Sequence, residues 1–199
     1  MSLFPTKQWL AEYKTLLNES SALDDVAAGW GVGFNGDLLF VITDLPLDET
    51  TVRELPDSVV EDVPENVCEG LRDLTLAEAQ AEIDGSMRED FPTVVQDLLT
   101  QLEECIVDGA IYAYIGLEGG TCTEVDILDS PDEREVESVI RGTCATWQQI
   151  IEGRPATSAV LSGDLEIHGS DLLQPQQTAI FQLLGDIAAD VETTHLFEP

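Results

Sequence analysis

Apolar residues recur at two spacings along this chain, and each spacing predicts a different element. Trp9, Leu10, Tyr13, Leu16 and Leu17 follow the stripe of an amphipathic helix, with Thr6 placed to cap it. A second short helix is expected over 20–28. Trp30, Val32 and Phe34 then alternate with Gly31 and Gly33, and Asn35-Gly36 supplies the positive-φ pair of a type I′ turn. With 38–42 as the returning strand, this pattern predicts a hairpin over 29–44.

From Leu45 to Asp90 the character changes. Pro46, Pro56 and Pro64 punctuate short segments in which acids far outnumber Arg53, Arg72 and Arg88. Helical turns are predicted over 65–71 and 76–83. The stretch reads as an acidic surface insertion, because it holds too few large apolar residues for a core of its own. Pro92 opens a longer helix with Val94, Val95, Leu98, Leu99, Leu102, Cys105 and Ile106 on one face, and Asp108-Gly109 is expected to end it. Strands are predicted over 111–117, 124–128 and 136–141, joined by Gly119-Gly120 and by the turn from Asp129 to Asp132. Thr143 or Thr146 caps a short helix carrying Trp147, Ile150 and Ile151. A final helix from Pro175 carries Ile180, Leu183, Leu184, Ile187, Ala188 and Val191.

The segment between those two helices is the most informative. The aromatic Trp147 is followed by Ile150-Ile151, Gly153 and Pro155, then by the small apolar run Ala159-Val160-Leu161. Gly163, an alternating strand with Leu165 and Ile167, and Gly169 come next, ahead of the apolar C-terminal helix. In that order these residues resemble the sterol carrier protein type 2 family. The resemblance covers residues 110 to 190 or so, with the 29–44 hairpin as a further pair of strands. It implies an α/β (α+β) fold: a five-stranded, mainly antiparallel sheet covered by helices, with an apolar tunnel between sheet and C-terminal helix. It also implies binding or carriage of sterols, fatty acids, acyl-CoA or related lipids. The stretch 45–90 departs from the family pattern. One domain over 1–199 is expected, built from N-terminal helices (1–28), the hairpin (29–44), a helical insertion (45–109) and the family core (110–191).

The last helix is more apolar than one covering stripe requires, since Ile180-Phe181 and Leu183-Leu184 are adjacent pairs. The surplus, Phe181 with Leu172 and Leu173, lines a cavity or forms a dimer seam. Candidate pocket residues are Trp147, Ile150, Ile151, Val160, Leu161, Leu165, Ile167, Leu172, Leu173, Ile180, Phe181 and Leu184. Each of them also serves as plain core filling. The expected function is non-enzymatic binding or carriage of a lipid, fatty acyl or isoprenoid ligand. The alternative is a protein-interaction module, or a homodimer, formed through the same helix face.

Charge narrows the partners. The chain has 40 acidic and 8 basic residues, a formal net charge of -32. Such a surface repels nucleic acid and anionic lipid headgroups. The acids are spread along nearly the whole length, which fits a halophilic cytosol better than one basic partner. No apolar stretch reaches the ~20 residues of a membrane helix, and the start lacks the plan of a signal peptide, so the cytoplasm is expected.

Cys68, Cys105, Cys122 and Cys144 form no paired motif and read as reduced, buried thiols. His168 and His195 lack metal-ligand spacing, and His168 is expected at the surface. The glycines from Gly29 to Gly33 mimic a nucleotide fingerprint but precede a strand, so no helix N-terminus awaits a phosphate. Catalytic residues, metal and cofactor are therefore all expected to be none. The best enzymatic reading would use Cys144, its thiol pKa lowered at a helix start, and would still need a base.

Overall fold

Thr6 caps the first helix, its Oγ1 accepting from the Trp9 backbone N–H at 3.3 Å. The computed structural model describes residues 2–61, 63–83, 85–89, 91–169 and 175–197, with Val94 as backbone only. The chain runs through β1 (Ser2–Phe4), α1 (Lys7–Glu19), α2 (Ser21–Val26) and β2 (Leu38–Thr43). Five helices follow: α3 (Asp57–Val60), α4 (Glu65–Leu71), α5 (Leu76–Glu82), α6 (Gly85–Arg88) and α7 (Thr93–Glu104). Next come β3 (Ile106–Val107), β4 (Ala110–Glu118), β5 (Thr121–Leu128) and β6 (Ser138–Thr143). The chain closes with α8 (Cys144–Ile151), α9 (Ala156–Ser162), β7 (Leu165–His168), α10 (Pro175–Ala189) and β8 (Thr193–His195).

The architecture is a mixed α+β sheet covered by helices. β2 is central, antiparallel to β4 on one edge and parallel to β6 on the other. β7 extends the sheet beyond β6, while β5 and the two-residue β3 pair with β4. Among the described residues only the β2–β6 pairing in this sheet is parallel. β1 and β8 form a separate parallel pair that ties the two ends of the chain together.

The sequence of β2 suits its position. A continuous apolar run, Leu38 to Ile42, marks a strand buried on both faces. Leu38, Phe40 and Ile42 face the main core, with Ile111, Ala113, Ile115 and Ile140 beside them. Leu39 and Val41 face the other way, against Tyr114 and Val139. α1 lies along β5, and α10 packs on α8, α9, α1 and α2.

Two sequence expectations are corrected. Residues 30–34 form turns rather than a strand, because both edges of β2 are already taken by β4 and β6. Gly31 and Gly33 sit at φ +72° and +84°, a left-handed backbone that leaves Val32 and Phe34 exposed. A Cβ on Gly31 would lie 2.7 Å from the Leu117 carbonyl, so the loop folds flat against the end of β4. Asn35 instead accepts from the Asp37 N–H and donates to the Glu135 carbonyl. The second correction concerns Asp108-Gly109. With φ of 52° and 72° the pair makes the β3–β4 hairpin turn, and α7 ends earlier, at Glu104.

The predicted helices 65–71 and 76–83 are present as α4 and α5. Thr75 and Glu78 form a capping box on α5, satisfying two amide donors that the helix itself leaves free. No helix among the described residues is long and apolar enough to cross a membrane.

Candidate functional site

The sheet, α1, α8 and α10, joined by Phe4, Pro5, Thr6 and Ala156, line a hollow between the sheet and α10. The floor is Phe40 and Ile42 of β2 with Ile111, Ala113 and Ile127. α1 supplies Trp9, Leu10 and Tyr13, α8 supplies Trp147, Ile150 and Ile151, and α10 roofs it with Phe181, Leu184, Gly185 and Ala188. Helical spacing explains each set. Trp9 and Tyr13 are four apart on α1, and Trp147, Ile150 and Ile151 share one face of α8. Gly185 lets α10 come close: a Cβ there would stand 2.7 Å from Ala156 Cβ on α9.

The polar handles of the lining aromatics all have backbone or side-chain partners. Trp147 Nε1 donates to the Val41 carbonyl at 3.2 Å, and its ring stacks on Phe40 at 5.0 Å. Tyr13 donates its hydroxyl to the Leu184 carbonyl at 2.8 Å, and Trp9 Nε1 donates to Thr193 Oγ1 at 2.8 Å. What faces the hollow is therefore hydrocarbon and aromatic ring. Burial holds the Tyr13 hydroxyl well above its ordinary pKa, with the nearby Cys122 adding to the shift. The hollow itself is about 30 Å³. On the far side of Phe181 and Leu184 lies a smaller void of about 20 Å³, walled also by Trp30, Leu38, Ile140, Ile167 and Ile180.

The candidate residues from the sequence are distributed as follows. Trp147, Ile150, Ile151, Phe181 and Leu184 line the larger hollow, with Phe181 and Leu184 shared by the smaller. Ile167 and Ile180 border the smaller one. Leu165 is buried against the Gly142 position, and Val160 is half-buried against the main core. Leu161 does not belong to the site. It is 89% exposed, because α9 buries Ala156 and Ala159 and Leu161 projects from the opposite side of that short helix. Leu172 and Leu173 lie outside the described residues. The residues that sequence reasoning missed come from α1 and the sheet, above all Trp9, Tyr13 and Phe40. The α1 stripe was the available signal, but nothing local tells which cavity a stripe faces.

The alternative use of the α10 face, as a contact with another chain, meets an obstacle. Ile180, Phe181, Leu184, Ile187 and Ala188 are all buried within this chain.

Groups with reactive chemistry stand elsewhere. Cys144 does begin α8, yet its thiol is pushed up to about 12, because burial outweighs any help from a helix start. His168 is exposed, 3.7 Å from Glu166. His195 is half-buried 3.7 Å from Glu152, with burial lowering its pKa and Glu152 partly opposing that. No cluster of three or more His, Cys, Asp or Glu suited to a metal ion occurs among the described residues.

No protein-family model matches the sequence, and no curated protein matches it. Solved structures do match. A crystal structure of sterol carrier protein 2 aligns over 94% of this chain and 97% of its own, at 19% identity and a TM-score of 0.55. The fold is that of sterol carrier protein 2. A solution structure of a conserved hypothetical protein from Thermus thermophilus, suggested to be a sterol carrier protein, aligns over 98% of this chain and 92% of its own. That match has 20% identity and the same TM-score of 0.55. Both alignments run nearly end to end.

Proposed function

We propose that this protein binds and carries an apolar ligand, a lipid, fatty acyl chain or isoprenoid, in the space between the sheet and α10, without catalysis. The observation that carries this reading is an enclosed lining of hydrocarbon and aromatic rings whose polar handles are satisfied elsewhere. Such a lining grips by burial alone, at about 25 cal/mol per Å² of apolar surface, so several hundred Å² of ligand gains several kcal/mol. The sterol carrier protein fold supports the same reading.

At about 30 Å³ the hollow is closed down by its own side chains. A cavity that admits benzene measures roughly 150 Å³. Loading therefore requires the roof to lift and Phe181 to turn aside, joining the two voids it separates. α10 is tethered to its neighbours by the Tyr13 hydroxyl, by Gln182, which accepts from the Thr157 N–H and hydroxyl, and by Gln176, which donates to the Val26 carbonyl, so lifting the roof must loosen these bonds as well as its packing.

Native mass spectrometry of the purified protein, followed by titration with a fluorescent fatty acid and a fluorescent polyisoprenoid, tests this. A retained apolar molecule or saturable binding of either probe is expected. Absence of both would overturn the reading. We also propose that the acidic surface suits concentrated salt. Urea midpoints should rise between about 0.1 and 3 M KCl as self-repulsion is screened, and a flat response would contradict that.

A further inference from the structure

The helices α3, α4, α5 and α7, with Val52 and Leu55 ahead of α3, line a second apolar cavity of about 70 Å³, larger than the hollow under α10. Val59, Leu71, Leu76, Phe91 and Leu98 are among its walls, and among the described residues its polar lining side chains are Gln80 and Cys68. An open groove of about 420 Å³ lies against it. The two share Val52, Val60, Val63 and Cys68, which form the partition between cavity and groove.

The groove carries Arg53 and Arg72. A backbone hydrogen bond from the Arg53 N–H to the Arg72 carbonyl, 3.2 Å, sets these two residues side by side. The chain has only 8 lysines and arginines, so two at one mouth is a concentration of a scarce charge. Among the other cations, Arg88, Arg134 and Arg154 each hold a carboxylate at hydrogen-bond distance, Lys14 donates to the Thr123 carbonyl, and Lys7 makes a looser contact with Asp126 at 3.5 Å. Arg72 makes no ion pair among the described residues. Arg53 has only an exposed contact to Asp73 at 3.5 Å, a pairing that costs little to give up. Glu61, Glu65 and Glu69 also line the groove, and among the described residues Arg53 and Arg72 are its positive charges.

We propose that this helical segment is a second ligand site, taking a single-chain amphiphile with an oxyanion head. The head, carboxylate or phosphate, is held by Arg53 and Arg72, and the hydrocarbon tail passes the Val52, Val60 and Val63 partition into the apolar cavity. Arginine favours such heads because its planar fork donates two parallel hydrogen bonds. The groove alone falls within the ~300–1,000 Å³ of ordinary ligand pockets. The walls can part because α3, α4 and α5 span only 4 to 7 residues each. Helices that short have little stability of their own and hold position only through packing. The site is distinct from the space under α10, and each stands without the other.

The test is methyl NMR of the whole chain, with labelled valine and leucine, in concentrated KCl. The probes are sodium dodecanoate, farnesyl phosphate and, as the uncharged control, dodecanol. Dodecanoate or farnesyl phosphate is expected to shift Val52, Val60, Val63 and Leu71. Binding of either supports the proposal, and the tighter one names the head group. Arg72→Gln, an exposed change, should weaken the anionic probe about tenfold and leave dodecanol unaffected. Ala79→Phe should fill the cavity and abolish the shifts of all three probes. Shifts confined to Leu10 and Leu184, under α10, would overturn this site while leaving the other intact. An unchanged anion affinity in Arg72→Gln would overturn the head-group assignment.

Discussion

Phe181→Ala probes the central feature of the molecule. Phe181 is 6% exposed and separates the hollow of about 30 Å³ from the void of about 20 Å³. Truncation removes the phenyl ring from that partition and merges the two spaces with the volume the ring occupied. Losses of this kind cost about 3–5 kcal/mol, transfer and cavity contributions together. For a chain of this length that lowers the thermal midpoint by roughly 6–20 °C. The merged cavity should admit a small apolar guest that the parent protein excludes. Benzene at about 100 times its dissociation constant would return about 2.7 kcal/mol to the variant and almost nothing to the parent. Urea unfolding in concentrated KCl, with and without benzene, reads both effects. A loss below about 1 kcal/mol, or equal benzene stabilisation of both proteins, would refute the claim that Phe181 closes a potential tunnel.

Three further outcomes follow from the same structure. Gly185→Val places a Cβ 2.7 Å from Ala156 Cβ, so α10 must move off α9; a loss of about 1–3 kcal/mol in urea midpoint analysis is expected. His195 has its pKa lowered from 6.5 chiefly by burial, so as pH falls through 6.5 the unfolded chain takes up a proton that the native one refuses. Stability therefore rises with pH in that window and levels off below the native value; His195→Gln should flatten this part of the curve relative to the parent. Cys144 is 2% exposed with its thiol pushed up to about 12, so iodoacetamide at pH 8 should modify it only as fast as the protein opens, and Thr143→Ala, which removes the α8 cap, should speed that labelling.

Elements with a strong local signature were legible in the chain. The α1 stripe with Thr6 and the short helices predicted over 65–71 and 76–83 depend on neighbours within four residues or so, and they form where expected. The glycine at Gly163 adopts φ 82°, the left-handed ending that only its lack of a side chain makes cheap. The lining of the hollow was legible in half. Trp147, Ile150 and Ile151 follow from one helix face, whereas Phe40 and Trp9 meet them only because a sheet register and a distant helix bring them there.

Local periodicity and turn chemistry settled where helices and strands form and which face of each is apolar. Long-range pairing settled everything about neighbours. The loop 30–34 has strand-like alternation, yet β4 and β6 occupy the edges it would need. Cys144 has a favourable place in its helix, yet burial from other elements decides its chemistry. Two arginines nineteen positions apart stand together because one backbone hydrogen bond joins their segments. Hydrogen-bond edges and buried volume are shared resources, and which segment takes them is decided by the whole chain at once.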